Sequence, residues 1–395
     1  MKKKVLLIGD ASSYFINSIF RNVQSTGKYE LGTFNINPKK KNNINLRNKS
    51  NNADNTNHHK EKLSVRLANM LANIKIPVIK KALYQLYLAY NFIKLYKEAA
   101  QYDIINFHHL DANARAYANF STKYLKNKNH ILSFWGSDFY KRDKQNDESL
   151  KTLLAKAHTI TFTNEKSKEH FIKELNWERD NTFVIQFGLE QLDLIQKNET
   201  DKDILKQQLN IPIDKQVLTI GYNASANQQH EAIIDQLEEL VKHKNAAEQI
   251  HLVIPLTYGA TAAYKKQLIM AYSKLPFSYS IYSDYLEDDT ITQLRIVSDI
   301  MVQLQLTDQF SGSMQEYLFA QNIVITGSWL PYQVFKSEGV YFEEIDKVSS
   351  LANKLQEVIK DLPQLKLKTK ANPKIIYKIS SWESTIDKWA ELYEL

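Results

Sequence analysis

The residues most able to do chemistry together lie in one short stretch, Asp308-Gln-Phe-Ser311-Gly312-Ser313-Met-Gln-Glu316. An acidic residue precedes a loop of small residues, and a second acid follows one turn into a helix that leads to the apolar run Ile323–Thr326. A helix start offers backbone N–H groups with no intrahelical acceptor, and the helix dipole favours an anion there. A phosphate at Ser311, Gly312 and Ser313 and a polyol at Asp308 and Glu316 would together have the outline of a nucleotide-sugar. The plain alternative is a loop–helix–strand unit of an α/β domain with Glu316 solvated.

Other candidates sit at the ends of apolar runs. Tyr102–Phe107 ends in His108-His109-Leu-Asp111, and His130–Phe134 ends in Trp135-Gly-Ser-Asp138. A histidine or carboxylate at a strand's carboxyl end suits a general base or a ligand contact, so His108 and Asp138 are the candidate bases. Asp10 and Ser12 follow the first strand and either face the acceptor or cap the next helix. His109 and Trp135 are placed on the acceptor side with them. A metal is not implied. His58-His59 lies in a polar tract with no carboxylate at ligand spacing, and Asp201-Lys-Asp203 and Asp288-Asp289 fall in polar segments.

These residues need a scaffold. The 395 residues exceed one ordinary core. With no cysteine, disulfides, thiolate metal sites and a cysteine nucleophile are excluded. The apolar run Val5–Gly9 is too short for an export signal, and no window of about 20 apolar residues exists to span a bilayer. Charge is uneven. Residues 1–100 carry 18 Lys+Arg against 5 Asp+Glu, net +13, while the remainder carries 33 against 39, net −6. A basic first half points to an anionic partner. Nucleic acid is disfavoured because the aromatics fall at core spacing and no nucleic-acid motif appears.

Apolar runs alternating with helical patterns predict a parallel, doubly wound sheet, built twice. Strands are expected at Lys4–Ile8, Tyr29–Ile36, 102–107, 130–134, 159–163 and 183–187. A second series is expected at 216–220, 249–255, 277–282, 300–305, 323–326 and a short 339–342. The first domain is set at 1–190, a connection at 191–213, the second domain at 214–375, and a last amphipathic helix at 376–395 packing back on the first domain. Residues 38–62, rich in Asn, Lys and His, predict a mobile basic loop. Residues 63–97 combine Leu, Ile and Tyr with lysines, the pattern of helices resting on anionic lipid.

Two such domains with a closing helix resemble the GT-B glycosyltransferases. Asp308 and Glu316 are similar to the acidic-x7-Glu signature of retaining GT-B enzymes, with Asp in place of the usual first Glu. The resemblance implies that Glu316 holds the donor ribose and that the intervening loop holds the diphosphate. Three further motifs resemble the family of lipid-linked 4-acetamido-4,6-dideoxygalactose transferases of enterobacterial common antigen synthesis. They are Gly221-Tyr-Asn223-Ala-Ser-Ala-Asn227-Gln-Gln-His230, Val253-Ile-Pro-Leu-Thr-Tyr258-Gly, and Trp135-Gly-Ser-Asp138-Phe-Tyr140. That family is inverting, so the two signatures leave the stereochemistry open. The resemblance implies a metal-independent transferase without cofactor. Its donor is a UDP- or dTDP-sugar at Asn223, Asn227, His230, Tyr258 and 308–316. Its acceptor is a polyprenyl-linked or other glycan, approaching from the basic domain. The site is the cytoplasmic face of a cell membrane, and the role is surface polysaccharide or glycoconjugate synthesis. A non-catalytic nucleotide-sugar or glycan-binding protein, or a partner subunit of another transferase, is the competing expectation.

Overall fold

The computed structural model describes residues 2–10, 13–37, 77–242 and 246–395. Ser12, the predicted basic loop at 38–62 and the first part of the predicted lipid-facing segment, 63–76, lie outside the described residues. The chain divides into two units, one of Met1–Phe187 with Thr385–Leu395 and one of Gly188–Ser384.

The first unit is built on a six-stranded parallel sheet. Its strands are β1 (Lys3–Gly9), β2 (Tyr29–Asn35), β3 (Ile104–His108), β4 (Asn129–Ser133), β5 (Thr159–Phe162) and β6 (Thr182–Val184), in the order β2-β1-β3-β4-β5-β6. Val5, Leu6, Leu7 and Ile8 are all fully buried, as a central strand covered on both faces requires. The unit is completed by the chain's last residues. Trp389 and Tyr393 are buried there, and the Tyr29 hydroxyl donates to the Ala390 carbonyl at 2.8 Å. Trp389 Nε1 donates to the Gln186 carbonyl at 2.9 Å.

The second unit repeats the scheme with β7 (Gln216–Ile220), β8 (Ile250–Pro255), β9 (Ser278–Tyr282), β10 (Ile300–Gln303), β11 (Ile323–Gly327) and β12 (Glu343–Ile345), in the order β12-β11-β10-β7-β8-β9. Strand order reverses between β7 and β10, so the loops leaving their carboxyl ends diverge and open a crevice, the place where doubly wound sheets bind ligands. In the first unit the equivalent point lies between β1 and β3.

Two sequence-based boundaries move. Residues 191–213 are not a bare connection. Leu189, Leu192 and Ile195 join the core around Met301 and Met314, and Leu205 and Ile211 pack with Val217 and Val253. These apolar residues anchor the helices Glu190–Lys197 and Lys202–Gln208 within the second unit. The last strand is Glu343–Ile345 rather than 339–342. Gly339 adopts φ 89°, and the Val340 N–H returns to the Phe335 carbonyl at 2.9 Å, so those residues close the preceding helix.

Candidate functional site

The loop after β10 leads to the helix Gly312–Phe319, as the spacing predicts. Ser311 is its N-cap, and its Oγ accepts the Met314 N–H at 3.2 Å. The N–H groups of Gly312 and Ser313 have no acceptor among the described residues and form the open donors of this helix start. Asp308 stands before them, accepting the Tyr332 hydroxyl and the Gln309 N–H. Burial raises its pKa, and the Tyr332 hydrogen bond pulls it partly back.

Glu316 is held by a residue that the sequence reading missed. Arg295 Nε donates to Glu316 Oε2 at 2.9 Å, with side chains only 8% and 14% exposed. The same guanidinium donates to the Tyr317 hydroxyl at 2.7 Å and to Ser313 Oγ at 3.2 Å, and lies 4.2 Å over the Tyr317 ring. Burial works against the Arg295 charge, but Tyr317 and Glu316 outweigh it and hold the pKa above its ordinary value. Burial raises Glu316, and Arg295 opposes that shift. Oε2 is thus pinned, while Oε1 has no hydrogen-bond partner among the described residues. One signal for Arg295 was available: it is the single arginine after Arg179 in a chain otherwise supplied with lysine there.

The loop after β7 closes the other side. Gly221 has φ +60°, and a Cβ on it would lie 2.8 Å from Gln228 Oε1, so glycine takes this turn without strain and without displacing Gln228. Asn223 Oδ1 accepts the Ser225 N–H at 2.9 Å, and the Ala224 N–H donates to the Tyr258 carbonyl at 2.8 Å, joining this loop to the one after β8. Tyr258 is 58% exposed, meets the Asn223 side chain, and feels the charges of Glu316, Arg295 and Asp308. The Tyr222 hydroxyl accepts from Gln305 at 2.9 Å within reach of Asp308. Asn223, Tyr258, Asp308, Ser311, Gly312, Ser313 and Glu316 are therefore brought together.

Two predicted ligand contacts are corrected. His230 is fully buried. Its Nε2 lies 2.7 Å from the Asn223 carbonyl, which can only accept, so Nε2 carries the proton. Burial lowers its pKa, so Nδ1 accepts from the Tyr272 hydroxyl at 2.8 Å. The imidazole is a strut behind Asn223 and does not face a phosphate. Asn227 donates to the Thr307 carbonyl at 2.8 Å and accepts the Thr307 N–H at 3.2 Å, clasping the β7 and β10 loops with its whole amide.

The first unit corrects both candidate bases. Asp138 is buried and accepts backbone N–H groups of Leu110 at 2.7 Å, Trp135 at 3.0 Å and Gly136 at 2.8 Å. Burial raises its pKa, with His109 and these N–H groups opposing. Both oxygens are engaged, so Asp138 organises the loops after β3 and β4 rather than receiving a substrate proton. His108 is fully buried, 6.0 Å between ring centroids from both Trp135 and Trp389, with neither ring nitrogen partnered among the described residues. Burial pushes it down to about 3, so it is neutral and sealed from a substrate. His109, at φ 56°, places Nε2 3.2 Å from Ser137 Oγ and packs on Trp135. The Trp135 ring also meets Phe15 and Phe187. The Asp10 carbonyl accepts the Ser13 N–H at 2.8 Å, forming the turn into the helix Tyr14–Ser25.

Known proteins agree with the fold. A family described as "Glycosyl transferase 4-like" matches residues 4–164. No curated protein matches the sequence. Among solved structures, a glycosyltransferase from Rickettsia africae superposes with a TM-score of 0.71 at 13% identity, over 100% of this chain and 98% of that one. Anabaena Alr3699/HepE, solved in complex with UDP, gives 0.69 at 16% identity with full coverage of both chains. Sucrose-phosphate synthase from Thermosynechococcus elongatus gives 0.70 at 12% identity, over 100% and 98%. The fold is GT-B.

Proposed function

We propose that the chain is a glycosyltransferase that takes a sugar from a nucleotide-diphosphate-sugar held by the second unit. One observation carries the reading. Glu316 presents a single open oxygen beside the unpartnered N–H groups of Gly312 and Ser313, in the crevice where the β7 and β10 loops diverge. The carboxylate oxygen would accept ribose hydroxyls, and the N–H groups would take the diphosphate and stabilise the leaving group. Tyr258, exposed at the same place, would cover the base or sugar. The HepE relative was solved with UDP and with UDP-glucose, which supports a uridine donor here. The motifs shared with the 4-acetamido-4,6-dideoxygalactose transferases support a hexose or deoxyhexose on that donor and a lipid-linked acceptor. We read transfer as metal-independent, so excess EDTA should leave turnover unchanged.

A membrane-surface location on the cytoplasmic side belongs to the same reading. The helix Pro77–Ala99 buries Asn91, Leu95 and Ala99 but exposes Tyr84, Leu86, Ile93 and Tyr96 by 45% or more, with Lys97 exposed beside them and Lys94 half-buried over the Phe34 ring. Among the described residues no helix is long and apolar enough to cross a membrane. An apolar strip with lysines suits an anionic lipid surface at the site of polysaccharide assembly. Co-sedimentation with phosphatidylglycerol vesicles should fall with salt and with Leu86→Ser plus Lys97→Gln. Unaltered sedimentation would remove the membrane from the proposal.

The central test is a panel of UDP- and dTDP-sugars, read by thermal shift and by release of nucleoside diphosphate. A donor should stabilise the chain and be turned over with a glycan acceptor. Stabilisation without turnover under any acceptor would favour a binding protein, and no stabilisation would end the reading.

A further inference from the structure

The outer strand of a sheet carries N–H and C=O groups that another strand can take, and folded chains guard such edges with short strands, charges or kinks. Among the described residues, three of the four sheet edges are guarded. β12 is three residues long, with Glu343 paired to Lys354 and Glu344 to Lys336. β6 is also three residues long, and β2 carries the charged Glu30, paired to Lys4. The fourth edge, β9, differs. It lies outside β8, reads Ser278-Tyr-Ser-Ile-Tyr282, and holds no charge, proline or glycine. Its register with β8 runs from Ser278 to Tyr282 without a bulge.

Register decides which groups of β9 are open. The Leu256 N–H donates to the Tyr282 carbonyl at 2.7 Å, so Tyr282 turns its backbone toward β8. With a period of two, Ser280 and Ser278 do the same. Tyr279 and Ile281 therefore turn their N–H and C=O groups outward, where they meet no partner among the described residues. The next outward carbonyl, that of Ser283, is already taken by Lys265 Nζ at 2.8 Å. The open groups of the strand are thus centred on Ser280. A second identical strand laid antiparallel about that residue sets Tyr279 opposite Ile281 and Ile281 opposite Tyr279. Each of those pairs exchanges two backbone hydrogen bonds, and Ser280 faces its own copy between them. An aromatic side chain against a β-branched one is a favourable cross-strand pair, and here it occurs twice. Charge agrees with the same arrangement. Lys274 is exposed before β9, and Lys215 Nζ donates to Ser278 Oγ at 3.0 Å, so the amino end is basic. Asp284 and Glu287, both exposed, follow the carboxyl end. Antiparallel pairing sets the basic end of each copy against the acidic end of the other.

We propose that two copies of this chain pair through β9, edge to edge, in a two-fold dimer whose axis passes by Ser280. Every group involved lies in the second unit, and the pairing is independent of the glycosyltransferase reading. One short strand buries little area, so the dimer should be weak, with a dissociation constant of about 1–100 μM.

Sedimentation velocity of the full chain from about 1 to 100 μM should show a single monomer–dimer equilibrium. Tyr279→Pro removes an outward N–H and leaves the bonds to β8 in place. By symmetry it deletes two hydrogen bonds between the copies and should weaken the dimer about tenfold or more. Lys274→Glu and Asp284→Lys should each weaken it severalfold, and the two together should restore it, because the charges are then exchanged. The chain has no cysteine, so Ser280→Cys reads the axis directly. Facing Cα atoms of a non-hydrogen-bonded pair lie about 4.5 Å apart, within disulfide reach, and mild oxidation should link the copies. Tyr282→Cys, whose symmetry mate lies roughly 14 Å away along the strands, should stay single. Thermal melting checks that each variant folds; if Tyr279→Pro does not, the charge exchange and the Ser280→Cys cross-link carry the test. A chain that stays monomeric to about 100 μM, a dimer indifferent to these substitutions, or a Ser280→Cys variant that does not cross-link would overturn the proposal.

Discussion

Replacing Arg295 with Met strands a buried carboxylate, and the consequences separate the scaffold from the ligand site. Glu316 has one oxygen on Arg295 Nε at 2.9 Å and is only 14% exposed. Removing one member of a buried pair typically costs about 3–5 kcal/mol, because the other charge stays desolvated. For a unit of this size each kcal/mol lowers the melting temperature by about 2–4 °C, so Arg295→Met should melt roughly 6–20 °C early. Glu316→Leu should fall by a similar amount for the mirror-image reason. The double variant Arg295→Met/Glu316→Leu removes both charges from the interior and should recover most of that loss. It should not recover ligand binding. UDP at about 100 times its dissociation constant stabilises a competent site by about 2.7 kcal/mol. The wild type should show that gain and the double variant should not. Scanning calorimetry of the four proteins with and without UDP reads both quantities. A double variant as unstable as either single one would refute the ion-pair argument. A double variant that UDP stabilises as fully as the wild type would refute the role of Glu316.

Asp138→Ala leaves three backbone N–H groups of the β3 and β4 loops without an acceptor and should cost at least about 3 kcal/mol, measured by chemical denaturation. Full stability with abolished turnover would restore Asp138 as a base. Acid should unfold the first unit early. Burial holds His108 at about 3 and His130 at about 4, so below about pH 6.5 the unfolded chain takes protons that the folded chain refuses. Stability is complete above that pH and falls by about 2 kcal/mol per histidine by pH 5. His108→Phe should flatten the slope by about half in a pH series of denaturation curves, and an unchanged slope would contradict the assignment.

Much of the scaffold was legible because it is local. Runs such as Val5–Ile8 and Ile323–Ile325 mark strands buried on both faces, and the strand–helix alternation implies parallel pairing. The order of strands was not legible, because pairing is non-local, and the crevice between β7 and β10 exists only through that order. The helix start at 311–313 could be read from its neighbours, whereas Arg295 reaches Glu316 from 21 residues away. His230, Asn227 and Asp138 were misread for one reason. A polar side chain that satisfies buried backbone groups has the same letter as one that meets a ligand, and only the partner of each atom tells them apart.

The partners of each atom also decide how a diphosphate would be held in the second unit. Around Gly312 and Ser313 the arginine in contact is already committed to Glu316 and Tyr317, so a diphosphate there meets backbone N–H dipoles rather than a free cation. Dipolar donors at short range are little affected by added salt, whereas attraction to a partly exposed cation is screened over about 8–10 Å at ordinary ionic strength. Raising salt from about 0.05 to about 0.5 M should therefore weaken UDP by no more than about threefold in calorimetric titration. A steeper loss would mean that a cation outside the Arg295 cluster reaches the donor diphosphate.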